Sequence, residues 1–143
     1  MELDKKQKGN LTELQCISAC YALGYSVSIP YGENSRYDFI LDIDGKLLKI
    51  QVKTCHLKQT VSNPNDAIIF ACRSTHATNT HIVYQRYTKE QIDYFATYWN
   101  NKCYFVPVEE CSTEKTLWFN PPKNGQQTHI SMAKDYELAV ILK

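Results

Sequence analysis

Tyr37-Asp38-Phe39-Ile40-Leu41-Asp42-Ile43-Asp44-Gly45-Lys46-Leu47-Leu48-Lys49-Ile50-Gln51-Val52-Lys53-Thr54 is the stretch that decides how this chain folds. Asp44-Gly45 lies between two runs of alternating polarity, the strongest short-range pattern for a hairpin with a two-residue type I′ turn. That turn sets Ile43 opposite Lys46 and carries Asp38 opposite Gln51 at the open end. Alternation then sorts the side chains. Phe39, Leu41, Ile43, Leu48, Ile50 and Val52 share a face that belongs in a core. Asp38, Ile40 and Asp42 share the other with Lys49, Gln51 and Lys53. Opposed side chains in such a ribbon have Cβ atoms about 4.5–5.5 Å apart, close enough to share one metal ion. A solvated polar face would show the same alternation, so the rest of the chain decides between the two readings.

With 143 residues, the chain has the length of one domain with a real core, residues 1–143. No apolar run approaches a membrane span, and the start Met1-Glu2-Leu3-Asp4-Lys5-Lys6 has no signal-peptide pattern. No membrane partner is expected. The six cysteines sit in apolar or periodic segments without a Cys-x-x-Cys, so they read as reduced and buried in a cytoplasmic protein. The histidines His56, His76, His81 and His129 lack the spacing of a zinc hydrolase. Net charge is +1 but unevenly spread: −3 over residues 1–44, +5 over 45–90 and −1 over 91–143. A basic middle beginning beside the polar hairpin face suits a polyanion.

Outward from the hairpin, Asn10 with Glu13 three residues later forms a capping-box pattern, followed by Leu11, Leu14, Ile17 and Cys20 or Tyr21 at helical spacing. Glu13 can therefore cap the helix and, from the first helical turn, also lean over the adjoining sheet. Gly24 closes the helix, and Ser26–Pro30 reads as a short strand. The segment His56–Asp66 reads as a polar loop. Ala67–Arg73 and His81–Tyr87 read as two strands of an inserted hairpin, about 66–87, around the polar loop Ser74–Thr80. Thr88, with Gln91 at the third position, predicts a helix whose buried stripe is Ile92, Phe95 and Trp99. Strands follow at Lys102–Val108 and Thr116–Phe119, then a loop through Pro121-Pro122 and Asn124-Gly125. Ser131 predicts a cap for a last helix, Met132–Ile141, within about 131–142. The order is a mixed α/β (α+β) chain of helices on a small sheet.

A helix Glu (Glu13), an Asp on the second strand (Asp38) and Gln51-Val52-Lys53 on the third resemble the PD-(D/E)XK nuclease superfamily, with its restriction-endonuclease-like α-β-β-β-α-β core over about 9–54 and 88–119. The run Glu90-Gln91-Ile92-Asp93-Tyr94-Phe95-Ala96 through Tyr104-Phe105-Val106-Pro107 is similar to the branch of the cyanobacterial group I intron-encoded homing endonuclease, where Gln likewise precedes x-Lys. Archaeal Holliday-junction resolvases look similar but carry Glu there. Tyr37 stands where the family name has Pro. Gln51 removes one negative charge and throws more weight on Glu13.

Phosphodiester hydrolysis needs an activated water, charge neutralisation and help for the leaving alkoxide. Asp38, Glu13 and the Gln51 amide oxygen would hold Mg²⁺, with Mn²⁺ as a substitute. The resemblance adds the Val52 carbonyl as a ligand and products with 5′-phosphate and 3′-hydroxyl ends. Lys53 would orient the attacking water and stabilise negative charge. Expected DNA contacts are Arg36, Lys58, Arg73, His76, His81, Tyr84 and Arg86, since a ribbon can enter the major groove. Tyr94, Phe95, Tyr98 and Trp99 read as core or subunit interface. Together these residues and the resemblance imply a Mg²⁺-dependent endonuclease on double-stranded DNA, site-specific as in the homing branch. A resolvase, a restriction-type enzyme and a catalytically decayed DNA-binding module are the alternatives. Two strand breaks need two active sites, so a homodimer is expected, or a homotetramer as in the homing branch.

Overall fold

The first helix starts a full turn and more before Asn10. In the computed structural model, which describes residues 1–58, 66–123, 125 and 128–143 and only the backbone of His76, α1 spans Lys5–Ala22. Asp4 caps it: the Gln7 N–H donates to Asp4 Oδ1 at 2.8 Å, and the Asp4 N–H donates to Gln7 Oε1 at 3.0 Å. Asn10 and Glu13 are thus helical interior, and the capping role for Glu13 falls away. The buried face carries Thr12, Cys16 and Cys20, whereas Leu14 and Tyr21 remain 63% and 73% exposed. The stripe beginning at Leu11 is therefore displaced by about one residue. Small side chains on the inner face let the helix lie close on Phe39, Leu41, Ile50 and Phe105, all fully buried in the same cluster. Gly24, at φ 91°, turns the chain out of the helix.

Ten strands follow: β1 Ser26–Ser28, β2 Phe39–Ile43, β3 Lys46–Val52, β4 His56–Leu57, β5 Ala67–Ala71, β6 Arg73–Ala77, β7 Ile82–Arg86, β8 Tyr94–Trp99, β9 Lys102–Pro107 and β10 Glu114–Trp118. The main sheet runs β1-β2-β3-β8-β9, antiparallel except for the parallel pair β3 and β8. A smaller sheet runs β10-β5-β4, and β6 pairs with β7 as a separate ribbon. This is the mixed α+β architecture that the sequence predicts.

The central hairpin forms as read. Asp44 at φ 52° and Gly45 at φ 88° make the primed turn, and the register runs from Ile43 opposite Lys46 to Phe39 opposite Ile50. Asp42 Oδ1 accepts the Gly45 N–H at 2.9 Å and steadies the turn. Phe39, Leu41 and Ile50 are wholly buried under α1. Burying each such side chain is worth roughly 1.5–3 kcal/mol. The ladder stops one pair short of Asp38 and Gln51. The Asp38 N–H reaches the Ile50 carbonyl at 2.7 Å instead, one step out of register.

Three expectations need correction. The capping bond at Thr88 forms, with its N–H on Gln91 Oε1 at 3.1 Å, but only a single hydrogen-bonded turn follows in place of the helix, and Tyr94–Trp99 is a strand. Aromatic and β-branched residues favour this strand, and burial on both faces (Phe95, Ala96 and Thr97) erases the alternation that would mark it. The predicted inserted hairpin also pairs differently. β5 joins β10 and β4 in the small sheet, whose inner face adds Ile68, Phe70 and Leu117 to the second core cluster. The ribbon is instead β6 with β7, so Ser74–Ala77 is strand rather than loop. Likewise His56–Leu57 is strand, while the remainder of that expected loop, residues 59–65, and Asn124 lie outside the described residues.

The last helix is broken. A 3₁₀ turn over Ala133–Tyr136 and α2, Leu138–Ile141, flank an extended Glu137. Glu137 bridges to Tyr104 at the edge of β9 and takes the Lys102 ammonium at 2.7 Å. The cysteines are free thiols, five buried and Cys111 half-buried. A Cys103 hydrogen bond and burial hold the Cys16 thiol well above its ordinary range, and burial does the same for Cys20. Among the described residues, no helix is long and apolar enough to cross a membrane.

Candidate active site

The open end of the central hairpin meets the middle of α1. Asp38 enters β2 from the Tyr31–Ser35 side, and its Oδ2 accepts the Val52 N–H at 2.7 Å. This bond fixes one carboxylate oxygen across the hairpin and leaves the other available. Burial raises the Asp38 pKa, while the Val52 N–H and the nearby Lys53 ammonium act against that rise. Glu13 faces it from the helix. Its pKa is also raised, first by burial and then by the charge of Asp38. Both carboxylates line one cleft of about 210 Å³ with Ile29, Ser35 and Tyr37. Glu33 also lines it. That residue was not singled out from the sequence, since it sits in an irregular loop with no periodic signal.

Gln51 projects from β3 beside Val52. Its amide nitrogen lies 3.4 Å from the Val52 carbonyl, and among the described residues its amide oxygen takes no hydrogen bond. Lys53 follows the end of β3, its N–H on the Ala96 carbonyl of β8 at 2.9 Å. Burial lowers the Lys53 pKa, Asp38 opposes that shift, and Arg36 reinforces it. Glu13, Asp38 and Lys53 are thus brought into one electrostatic neighbourhood, Val52 is bonded to Asp38, and Gln51 is joined to this group through its neighbour Val52.

The donors suit a hard divalent cation. Two half-buried carboxylates repel one another, and the Gln51 amide and Val52 carbonyl on the neighbouring strand offer further oxygens, the ligand type that Mg²⁺ and Mn²⁺ prefer. Among the described residues no trio of His, Cys, Asp or Glu is grouped to hold a metal by itself. An ion held here would complete its set with amide or carbonyl oxygens and water.

The expected DNA contacts divide. Arg73, Tyr84 and Arg86 share one face of the β6–β7 ribbon, with the Arg73 guanidinium carbon 3.8 Å from the Tyr84 ring centre. His81 sits at the ribbon tip, its Nδ1 2.8 Å from Thr80 Oγ1. The His76 side chain lies outside the described residues. Lys58 belongs to the small sheet, donating to Thr116 Oγ1 at 3.4 Å beside Trp118. Arg36 is engaged within the protein, stacked 3.8 Å from the Tyr87 ring centre and bonded to Ser74 and to the Arg86 carbonyl.

Comparison with solved structures finds the same fold in a bacterial homing endonuclease, I-Ssp6803I, with a TM-score of 0.79. Sequence identity is 23%, and the match covers 98% of this chain and 93% of that one. No curated protein matches the chain. The family model described as PD-(D/E)XK endonuclease matches residues 3–139, a span holding every residue of the hairpin site. The chain belongs to the PD-(D/E)XK endonuclease family.

Proposed function

We propose that this endonuclease hydrolyses phosphodiester bonds of double-stranded DNA at preferred sites, with Mg²⁺ as its cofactor and Mn²⁺ as a substitute. The observation that carries the reading is the Asp38 carboxylate, pinned by the Val52 N–H at 2.7 Å with Lys53 beside it and Glu13 opposite. A divalent ion held by Asp38, Glu13, the Gln51 amide oxygen and the Val52 carbonyl would supply Lewis-acid polarisation of the phosphate and a lowered pKa for water. Asp38 presents its free oxygen in a fixed direction, because the other is tied across the hairpin. Lys53 places an ammonium next to that carboxylate, where it orients the attacking water and balances charge developing on the phosphate. Partial burial strengthens that interaction by excluding water. Gln51 contributes a neutral donor, so Glu13 supplies the second negative charge.

Duplex DNA is supported by the ribbon. Arg73 and Arg86 stand directly opposite one another at its base, where like charges destabilise an isolated pair and a polyanion would offset them. Ile82, Val83 and Tyr84 remain exposed on its outer strand, suited to base edges or the thymine methyl group. The likeness to a homing endonuclease supports preference for particular sites. Cutting both strands calls for a symmetric homodimer or homotetramer, which light scattering would show.

The test is cleavage of supercoiled plasmid with Mg²⁺ or Mn²⁺, comparing the wild-type chain with Asp38→Ala and Lys53→Ala. Nicked or linear product with 5′-phosphate ends, lost in both variants and in chelator, is expected. Cutting that survives both substitutions would remove the assignment.

A further inference from the structure

Tyr87 closes the β6–β7 ribbon and is rooted in the core. Its ring meets Phe95 edge-on, with centroids 5.2 Å apart at 84°, and Phe95 is itself buried and aligned with Gln51 across β3 and β8. Two cations share the Tyr87 ring. The Arg36 guanidinium carbon lies 3.8 Å from its centre and the Lys53 ammonium 5.2 Å. Both cations also hold the two strands of the ribbon by their first and last residues. Lys53 Nζ donates to the Arg73 carbonyl at 3.3 Å, and Arg36 Nη2 donates to the Arg86 carbonyl at 3.1 Å. Arg36 Nη1 adds a bond to Ser74 Oγ at 3.2 Å. The Arg73 and Arg86 backbones are paired, so one bridge joins Lys53, the ribbon base, Arg36 and Tyr87.

Two features separate this bridge from an ordinary surface contact. Arg36 Nε is buried and, among the described residues, has no hydrogen-bond partner, a cost that the aromatic face and two well-placed acceptors offset. A planar guanidinium serves this geometry and a lysine would not, because it spans two acceptors while stacking on the ring. In addition, the ribbon has no core of its own, since β7 is exposed along its whole length. Its orientation is therefore set at the base.

We propose that Arg36 and Tyr87 are positioning residues that clamp the ribbon base against Lys53, so that DNA seated on the ribbon fixes the Lys53 ammonium at the scissile phosphate. Arg36 then acts through Lys53 instead of binding a phosphate of its own. The inference rests on the nuclease reading above, with Lys53 in the reaction. It predicts a separation of binding from chemistry. A displacement of about 1 Å at a reacting group is enough to cost on the order of 10²-fold in rate.

The experiment uses the full chain and supercoiled plasmid. Single-turnover cleavage is measured with Mg²⁺, and binding to a plasmid-derived duplex is measured in Ca²⁺ at several salt concentrations. Thermal unfolding is recorded for each variant. Arg36→Lys and Tyr87→Leu are expected to lower the cleavage rate about 10²-fold, with affinity within about threefold of wild type and the same salt slope. Tyr87→Phe, which keeps the ring, is expected to restore the rate to within a few-fold. A wild-type rate in Arg36→Lys would overturn the clamp. Weakened binding with a salt slope reduced by about one would also overturn it, by making Arg36 a phosphate contact. Tyr87→Phe as slow as Tyr87→Leu would remove the ring from the argument. Lys53→Ala is run beside these. Undiminished cutting there would sink the nuclease site itself, whereas loss of cutting there with normal Arg36→Lys would sink only the clamp.

Discussion

Two antiparallel hairpins divide the work in this molecule, and they are held in opposite ways. β2–β3 is fixed along its length, with Phe39, Leu41 and Ile50 wholly buried and a two-residue turn that admits one register. β6–β7 is exposed from end to end on β7 and, among the described residues, is gripped at its base by Lys53, Arg36 and Tyr87. The difference teaches where accuracy is needed. A group that touches the reacting atoms has to be placed within a fraction of an ångström, and Asp38, the proposed metal ligand, is supported by core packing and a backbone N–H. A ribbon proposed to conform to DNA would gain from freedom along its length and need only its base set.

Stability measurements would separate the two hairpins most sharply. Phe39→Ala is expected to cost about 3–5 kcal/mol by denaturant unfolding. Val83→Ala on the ribbon should stay within about 0.5 kcal/mol. Equal costs would contradict the contrast. In cleavage the ordering remains but the residues change. Lys53→Ala should lower the single-turnover rate about 10²- to 10³-fold, the scale of losing one preorganised electrostatic group, without shifting the unfolding midpoint downward. Arg86→Ala should instead weaken DNA binding at all sequences and reduce the salt slope by about one, with stability unchanged.

Protonation provides a finer test. Glu13 and Asp38 both have raised pKa values in the fold, first through burial. The folded state therefore favours their protonated forms, and that contribution to stability is lost as pH rises through the folded pKa values. A divalent ion binds only the deprotonated pair, so Mg²⁺ should raise the unfolding temperature more at pH 7.5 than at pH 4.5. At ten times Kd the gain is about 1.4 kcal/mol. A shift independent of pH would place the ion elsewhere. At the turn, Gly45→Ala is expected to cost on the order of 1 kcal/mol, because alanine resists φ 88°.

What the sequence made legible follows the same division. The central hairpin was readable because the Asp44-Gly45 turn fixes register locally and burial on one face leaves alternation visible. That register put Asp38 and Lys53 on one face, whereas Glu13, on the helix, entered through the family resemblance. The segment after Thr88 misled because its cap is real: the Thr88 N–H does bond Gln91, yet Tyr94–Trp99 is a strand packed on both faces and shows no period. The α1 face was misplaced because small residues, not leucines, lie against the sheet. Pairing of β5 with β10 joins segments more than forty residues apart and leaves no local mark. The clamp was likewise invisible, since Arg36 meets Ser74, Arg86 and Tyr87 only after the ribbon has formed.

One pair is central to the proposed function: the helix carboxylate Glu13 and the hairpin carboxylate Asp38, proposed to act on the same ion. Direct Mn²⁺ binding, followed by electron paramagnetic resonance on wild type, Glu13→Gln and Asp38→Asn, tests that pair without requiring a cleavable target. Each substitution alone is expected to weaken Mn²⁺ binding at least tenfold while the fold melts as the wild type does. Wild-type affinity in Glu13→Gln would remove α1 from the site, and wild-type affinity in both would contradict the hairpin site altogether.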